Sequence, residues 1–334
     1  MRYVNLGNCG LKVSEVCIGT WHLPRLGLKD AYGVPKVDVE ETRKVLKVAF
    51  DRGVNFIDTA NRYHGAMAPV DAQHWGNAER VLGEILKGYE RESFVLATKV
   101  GGQMAPWPNG QGLSRKHIFW QMKESLRRLQ MEYIDLYLIH TPDSETPHLE
   151  TLVAFNDLVR MGKVHYIGSS NLSPDDIEDF MELSRQHELA SFVALQEAYN
   201  LFERAIEREK VPLARRYNLA VMAYSPLAQG LLSGKYLSGV PQGSRATYYR
   251  DLTKALTEDK LKVVKELNEI AKEKQITLPQ LAISWILHKQ GSLGVRVIPI
   301  MGVSSSQQLL ENIQALDVQL SDDDVKRIEE LASR

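Results

Sequence analysis

Eight short apolar segments recur along this chain, with a helix pattern in the gaps between them, and the alternation predicts an α/β protein folded as a (β/α)8 TIM barrel. Most segments are apolar throughout rather than alternating, as is typical of parallel strands covered on both faces. No proline- or serine-rich linker divides the repeats. We therefore predict one domain over residues 1–334, with an N-terminal β-hairpin and extra C-terminal helices.

The hairpin is predicted from residues 3–6 and 11–13, joined through a turn at 7–10 that contains glycine at both ends. The barrel strands follow it at regular intervals. In chain order they are predicted at residues 16–19, 55–57, 94–99, 134–140, 164–169, 193–197, 220–224 and 295–300.

Helix starts are marked by residues that cap a helix N-terminus. Ser114 precedes a run whose apolar residues share one face, and Ser173 is followed by a proline and two aspartates. Ser321 opens the last helix in the same way, with three aspartates in the first turn. A helix over residues 39–50 is predicted from its apolar face alone.

Composition limits the possible partners. The 334 residues are 44% hydrophobic, enough to bury a substantial core, and a net charge of -1 gives no basic field for nucleic acid. Cys9 and Cys17 are too few for a disulfide framework, and no zinc-site spacing occurs. Without a signal core or an apolar stretch of about 18 residues, we expect a soluble, cytoplasmic protein that acts on a small molecule. The sequence leaves its oligomeric state open.

Two segments interrupt the regular spacing: residues 64–76 and residues 225–294. Both follow the C-terminal end of a predicted strand. In barrel enzymes the site is built from loops at that rim, so we expect both segments to shape a pocket.

The chemistry is predicted where strands end at the same rim. Asp58, Lys99 and His140 end the second, third and fourth strands, and Tyr63 lies on the loop just above. Lys99 beside Tyr63 would favour the phenolate, Asp58 would keep Lys99 protonated, and His140 could bind a substrate oxygen or share the phenol proton. Each residue could instead have a purely structural role, with Asp58 as a capping aspartate and Tyr63 as a half-buried tyrosine.

With Asp-Thr-Ala-x-x-Tyr at 58–63, Ala-Thr-Lys at 97–99 and Leu-Ile-His at 138–140, the chain resembles the aldo-keto reductases over nearly its whole length. The resemblance implies a catalytic tetrad of Asp58, Tyr63, Lys99 and His140. It also implies reversible hydride transfer between a nicotinamide C4 and the carbonyl carbon of an aldehyde, ketone or sugar, with Tyr63 as the general acid. Substrate would contact Trp21, Tyr63 and His140.

The resemblance also implies a binding site for NADP(H), with NAD possible. Tyr224 would stack on the nicotinamide, Ser170, Asn171 and Gln196 would hold its carboxamide, and the loop after Tyr224 would follow the pyrophosphate. The full implied set is Gly19, Thr20, Trp21, Asp58, Ser170, Asn171, Gln196, Tyr224, Ser225, Pro226, Leu227, Lys235, Arg245, Gly302, Ser304, Gln308, Glu311 and Asn312.

Gly-Leu-Ser-Arg-Lys-His-Ile at 112–118 and Thr-Pro-Asp-x-x-Thr-Pro at 141–147 resemble the branch that includes voltage-gated potassium channel β subunits and related bacterial reductases. The chain departs from the family at two places. Residues 64–76 replace a short turn, which affects any substrate assignment. Residues 304–306 are all serine, without the cation that many members place there for the adenosine 2'-phosphate. Lys235 and Arg245 are the cations expected to compensate.

Other readings stay open from the sequence. One is a nicotinamide-binding redox sensor that docks on a partner and turns over slowly, and another is a barrel isomerase or hydrolase that uses Asp58 and His140. The run at 230–235 lacks the spacing of a phosphate loop, and no metal is expected. The loop residues predicted to be available as pocket walls are Trp21, His64, His74, Trp75 and Trp107.

Overall fold

The computed structural model describes residues 1–66, 70–249, 252–253 and 256–333. Its strands are β1 (Tyr3–Asn5), β2 (Lys12–Ser14), β3 (Cys17–Gly19), β4 (Arg25–Lys29), β5 (Pro35–Val37), β6 (Phe56–Asp58), β7 (Val95–Val100), β8 (Ile134–Ile139), β9 (Val164–Ser170), β10 (Phe192–Ala198), β11 (Ala220–Tyr224) and β12 (Val297–Gly302). Its α-helices are α1 (Val39–Asp51), α2 (Asn77–Leu86), α3 (Arg115–Leu129), α4 (His148–Arg160), α5 (Pro174–Gln186), α6 (Ile206–Glu209), α7 (Val211–Arg216), α8 (Arg245–Tyr248), α9 (Glu258–Glu273), α10 (Leu278–Leu293), α11 (Ser306–Ile313) and α12 (Asp322–Ala332).

Strand β3 and strands β6 to β12 form a closed parallel barrel, in which β12 pairs back onto β3. This confirms the predicted (β/α)8 fold. The register sets Gly302 beside Gly19, Gly19 beside Asp58 and Asp58 beside Ala97. The carboxyl ends of these strands therefore meet at one rim, the edge at which barrels carry their sites.

The predicted N-terminal hairpin is present as β1 paired with β2. Leu6 and Val13 are fully buried and belong to the cluster that fills the barrel interior. Gly7 makes the turn at φ +64°, where a Cβ atom would collide with the Val193 carbonyl oxygen, so only glycine fits. The hairpin thus closes the end of the barrel opposite the rim.

The predicted helix starts at Ser114, Ser173 and Ser321 are confirmed. The Ser114 side chain accepts a hydrogen bond from the His117 N–H. Ser173 and Ser321 each form a capping box with an aspartate three residues later. These local bonds satisfy N–H groups that the first helical turn cannot pair internally.

Two features differ from the sequence expectations. Strands β4 and β5 form a second hairpin between β3 and α1 that no apolar pattern predicted, because β4 is almost entirely exposed. Only part of residues 225–294 lines the cavity. The rest includes α10, which packs on β12 and buries Trp285 completely, and α9, which packs on α10 and α12. Strand boundaries shift by one or two residues, and His140 directly follows β8.

Candidate active site

A cavity of about 730 Å³ opens at the barrel rim. That volume lies within the range typical of small-molecule sites, about 300 to 1,000 Å³. Its wall includes most of the residues implied by the family resemblance. These are Gly19, Trp21, Asp58, Tyr63, His140, Ser170, Asn171, Gln196, Tyr224, Ser225, Pro226, Leu227, Lys235, Arg245, Gly302, Ser304, Gln308 and Asn312.

Three residues of the implied set do not line the cavity. Lys99 is completely buried beneath Tyr63. Thr20 is also buried, and its hydroxyl donates to the Asp58 carbonyl oxygen inside the strand layer. Glu311 uses its carbonyl oxygen to accept from Gln280, and its side chain is not part of the wall. Direct ligand contact by Thr20 or Glu311 is therefore not supported.

Lys99 is the centre of the polar arrangement. Its Nζ donates to Asp58 Oδ2 at 2.7 Å, to the Thr59 carbonyl oxygen at 2.8 Å and to Tyr63 Oη at 3.2 Å. The other Asp58 oxygen accepts from Gln196 Nε2 at 2.8 Å. The buried cation thus has three oxygen partners, as burial of a charge requires.

Burial and nearby charges determine the pKa values of Lys99 and Tyr63. Burial lowers the pKa of Lys99, but Asp58 and then Tyr63 outweigh it, so the net pKa is raised and the ammonium stays charged. Burial raises the pKa of Tyr63, which Lys99 only partly offsets. Lys99 therefore favours the phenolate, as the sequence led us to expect, but desolvation is the larger effect and the net pKa of Tyr63 is raised.

His140 lies beside the phenol, with the two ring centres 5.6 Å apart and the planes at 77°. Burial, followed by the charges of Lys99 and Arg62, lowers its pKa to about 3. The imidazole is therefore neutral at physiological pH. A neutral ring can donate one hydrogen bond to a ligand oxygen without bringing a second positive charge next to Lys99.

The wall next to this pair is held by a chain of hydrogen bonds. Tyr224 Oη donates to Asn171 Oδ1 at 2.9 Å, and Asn171 Nδ2 donates to the His140 carbonyl oxygen at 2.9 Å. Ser170 Oγ donates to the Gln196 carbonyl oxygen at 2.8 Å. This chain fixes a flat aromatic ring and several amide groups around one side of the cavity.

The serine run at 304–306 is already engaged within the protein. Ser304 donates from its backbone N–H and its hydroxyl to Gln308 Oε1, and Ser305 caps α11. Ser306 donates through both groups to the Glu41 carboxylate. Nearby Asn312 has a buried Nδ2 with no partner in the described chain, so this wall can still offer a donor to a ligand.

Lys235 and Arg245 lie on the segment after β11, and both line the cavity. Arg245 stacks on Trp21, with its guanidinium carbon 4.1 Å from the ring centre, and its buried Nε has no partner among the described residues. Burial lowers the pKa of Lys235, as do the charges of Arg245 and Arg25. No ion pair joins Lys235 or Arg245 to a carboxylate within residues 1–66, 70–249, 252–253 and 256–333.

The sequence reading missed several wall residues, chiefly His22, Arg25 and Arg62. His22 and Arg25 lead into the unpredicted hairpin, so no pattern marked them. Burial and the charges of Arg245, Lys235 and Arg25 lower the pKa of His22 to about 3. Arg62 directly precedes Tyr63, and that adjacency was a usable signal.

Of the predicted aromatic walls, Trp21, His64 and Trp75 line the cavity. His74 does not, because its ring is buried against Asp30, 2.7 Å from Oδ2. Trp107 is 59% exposed and packs on Trp120 outside the cavity.

In the described part of the chain, no set of three or more His, Cys, Asp or Glu is grouped to hold a metal ion. Nor does any described helix have the length and apolarity needed to cross a membrane.

Comparison with known proteins gives a consistent result. The family model "Aldo/keto reductase family" matches residues 15–333. A probable voltage-gated potassium channel subunit beta of Oryza sativa subsp. japonica is 36% identical over 327 residues, covering 95% of this chain and 92% of that protein. The L-glyceraldehyde 3-phosphate reductase of Escherichia coli (strain K12) is 35% identical over 323 residues, covering 95% of this chain and 88% of that protein.

Proposed function

The chain belongs to the aldo/keto reductase family, and from this premise we propose that it transfers a hydride between NADP(H) and the carbonyl or alcohol group of a small molecule. The observation that carries the proposal is the bonding of Lys99 to both Asp58 and Tyr63, beside neutral His140, at the wall of the cavity. The arrangement offers a protonated phenol and a neutral hydrogen-bond donor to one oxygen atom. Besides a hydride, reduction of a carbonyl needs a proton donor, and a positioned phenol can serve as one.

The residues present suit a nicotinamide nucleotide. Arg245 Nε and Asn312 Nδ2 are buried donors on residues that line the same cavity, and neither has a partner in the part of the chain that the structure describes. They would hold the phosphate and adenosine parts. Tyr224 would stack on the nicotinamide, with the amides of Asn171 and Gln196 at its carboxamide. When bound, the nucleotide supplies the hydride. The protein's part is to orient the ring and keep water away.

Tyr63 is proposed as the proton donor in the reducing direction. Burial keeps its phenol protonated, and Lys99, 3.2 Å from the oxygen, would stabilise the phenolate left after proton transfer. His140 would donate to the same substrate oxygen and orient it. In the oxidising direction the same groups would take the proton back.

Preference for NADP(H) over NAD(H) is proposed to depend on Lys235 and Arg245. The serines at 304–306 are bonded to Gln308 and Glu41, and a carboxylate beside them would repel a phosphate. Lys235 and Arg245 have no carboxylate partner in the described chain, and charge-assisted hydrogen bonds to a 2'-phosphate are each worth about 1.5 to 3 kcal/mol.

A second candidate is supported by the relatives named as channel β subunits. It is a nicotinamide-binding redox sensor that docks on a partner and turns over slowly. All four tetrad positions are filled here, which favours the reductase. A burst of NADPH oxidation without sustained turnover on any carbonyl would favour the sensor.

The test is a panel of aldehydes, ketones, sugars and polyols, assayed with both nucleotides in both directions. We expect sustained turnover and an NADPH affinity roughly tenfold above that for NADH, equal to about 1.4 kcal/mol. The double variant Lys235→Ala/Arg245→Ala should lose this preference. The matched control Lys123→Ala/Arg160→Ala, exposed on α3 and α4, should keep it. Absence of nucleotide binding would contradict the proposal.

A further inference from the structure

Arg62 is a cation at the cavity wall that the proposed reaction leaves without a role. It immediately precedes Tyr63 and lines the cavity. Across the described residues, no side-chain hydrogen bond or ion pair of Arg62 is present. Residues 67–69, which lie outside the described chain, are Met, Ala and Pro and bring no acid. Among the residues that the structure describes, the guanidinium therefore has no carboxylate to neutralise it.

Arg62 is exposed as a residue, but its guanidinium packs against a neighbouring ring. Its carbon lies 4.8 Å from the ring centre of Trp75, a cation–π distance, and a Cβ on Gly102 would be 3.2 Å from its Cδ. Stacking on an aromatic ring orients a planar guanidinium while leaving its edge donors free. The paired N–H donors of the guanidinium match the spacing of two oxygens of a carboxylate or phosphate.

Asp58, His64 and His140 line the cavity together with Arg62, and they add no unpaired charge to it. Asp58 is paired with Lys99 at 2.7 Å. Burial lowers the pKa of His64 to about 4 and that of His140 to about 3, so both rings are neutral at physiological pH. The charge of Arg62 itself lowers the pKa of His140, which puts it within electrostatic range of the reacting groups.

We infer that the physiological carbonyl substrate carries an anionic group, and that Arg62 binds this group against Trp75 while the carbonyl oxygen lies between Tyr63 and His140. The inference rests on the proposed function and names its substrate class. Lys235 and Arg245 are assigned to the nucleotide, so they do not compete for this role. A carboxylate and a phosphate share the required chemistry, an oxyanion a few carbons from the carbonyl.

Two matched substrate pairs test the inference with NADPH. Succinic semialdehyde is compared with butanal for the carboxylate, and glyceraldehyde 3-phosphate with glyceraldehyde for the phosphate. The wild type should have a higher kcat/KM for the anionic member of at least one pair. The pair that shows this preference distinguishes a carboxylate from a phosphate. Arg62→Gln should lower kcat/KM for that member by about 10- to 100-fold, chiefly through KM, and change its neutral partner by less than about threefold.

Two further variants separate binding from structure. Arg62→Lys keeps the positive charge but lacks the paired N–H donors of a guanidinium. It should lower kcat/KM for the anionic substrate by less than Arg62→Gln does. Arg160→Gln removes an exposed charge at the end of α4 and should match the wild type. The thermal midpoint and NADPH affinity of Arg62→Gln should be unchanged.

The inference is overturned if Arg62→Gln weakens both members of a pair equally, or if the active wild type favours the neutral member of both pairs. Those outcomes leave the proposed reductase intact. If the wild type binds NADPH but reduces none of the four aldehydes, this substrate class is overturned. If it binds neither NADPH nor NADH, the proposed function itself is contradicted.

Discussion

Lys99 and Tyr63 are neighbours whose protonation depends on burial and on the charges beside them. The ammonium of Lys99 is fully enclosed, and its three hydrogen bonds are all to oxygen atoms. Removing Asp58 would leave that charge unpaired, a change that costs about 3 to 5 kcal/mol in buried pairs. The same enclosure keeps the Tyr63 phenol protonated, which is the form an acid needs before it donates.

Tyr63→Phe should separate binding from turnover. The phenol is the proposed proton source and makes no proposed nucleotide contact, so NADPH affinity should stay near that of the wild type. The value of kcat should fall by roughly a hundredfold or more, the scale for losing a positioned acid. Fluorescence titration and steady-state kinetics measure the two quantities. An equal loss of both would mean that Tyr63 has a structural role.

At the scale of elements, the loop of residues 64–76 shapes the cavity mouth. Residues 64–76 carry His64 and Trp75 to the wall, while His74 ties the loop to Asp30 on the turn between β4 and β5. The expectation that this loop shapes a pocket holds for His64 and Trp75. Met67, a further residue of this loop, lies outside the described residues.

Two tryptophans offer a matched comparison of loop roles. Trp75→Ala should change KM and the ranking of carbonyl substrates, because the ring lines the cavity and supports Arg62. Trp107→Ala should leave both unchanged, because that ring is 59% exposed and outside the cavity. Kinetics on the panel of carbonyls, with NADPH affinity as the control, distinguish them. An unchanged ranking in Trp75→Ala would place substrate elsewhere.

The sequence predicted the elements that have a strong local signal. Apolar strands and capped helices were found, and with them the rim positions of Asp58, Lys99 and His140. Strands β4 and β5 were missed because exposed residues give no periodic burial pattern. The raised pKa of Tyr63 also escaped prediction, since it depends on how deeply the completed fold buries the ring rather than on which charges are near.

For the whole molecule, histidines that stay neutral make stability depend on pH. The pKa values of His22 and His140 are lowered to about 3, and that of His64 to about 4, from an ordinary value of about 6.5. Below pH 6.5 the unfolded chain therefore binds protons that the native state does not. Each such histidine lowers the free energy of unfolding by up to about 1.4 kcal/mol per pH unit until its native pKa is reached.

The variant His22→Gln should accordingly reduce the pH dependence of stability. We expect its free energy of unfolding to fall less steeply than that of the wild type between pH 6.5 and about 4, because one proton-binding site is lost from the unfolded chain. Denaturant titrations at several pH values give both slopes. Identical slopes would show that His22 titrates normally in the folded protein.

In the proposed reaction, one barrel cavity brings a nicotinamide hydride to a carbonyl carbon. The most direct test is a single turnover with NADPH that carries deuterium on C4, followed by mass spectrometry and NMR of the product alcohol. We predict that deuterium from one face of C4 appears on the former carbonyl carbon, with hydrogen from solvent on the oxygen. Product that takes its carbon-bound hydrogen from solvent, or that forms without NADPH, would contradict the claim.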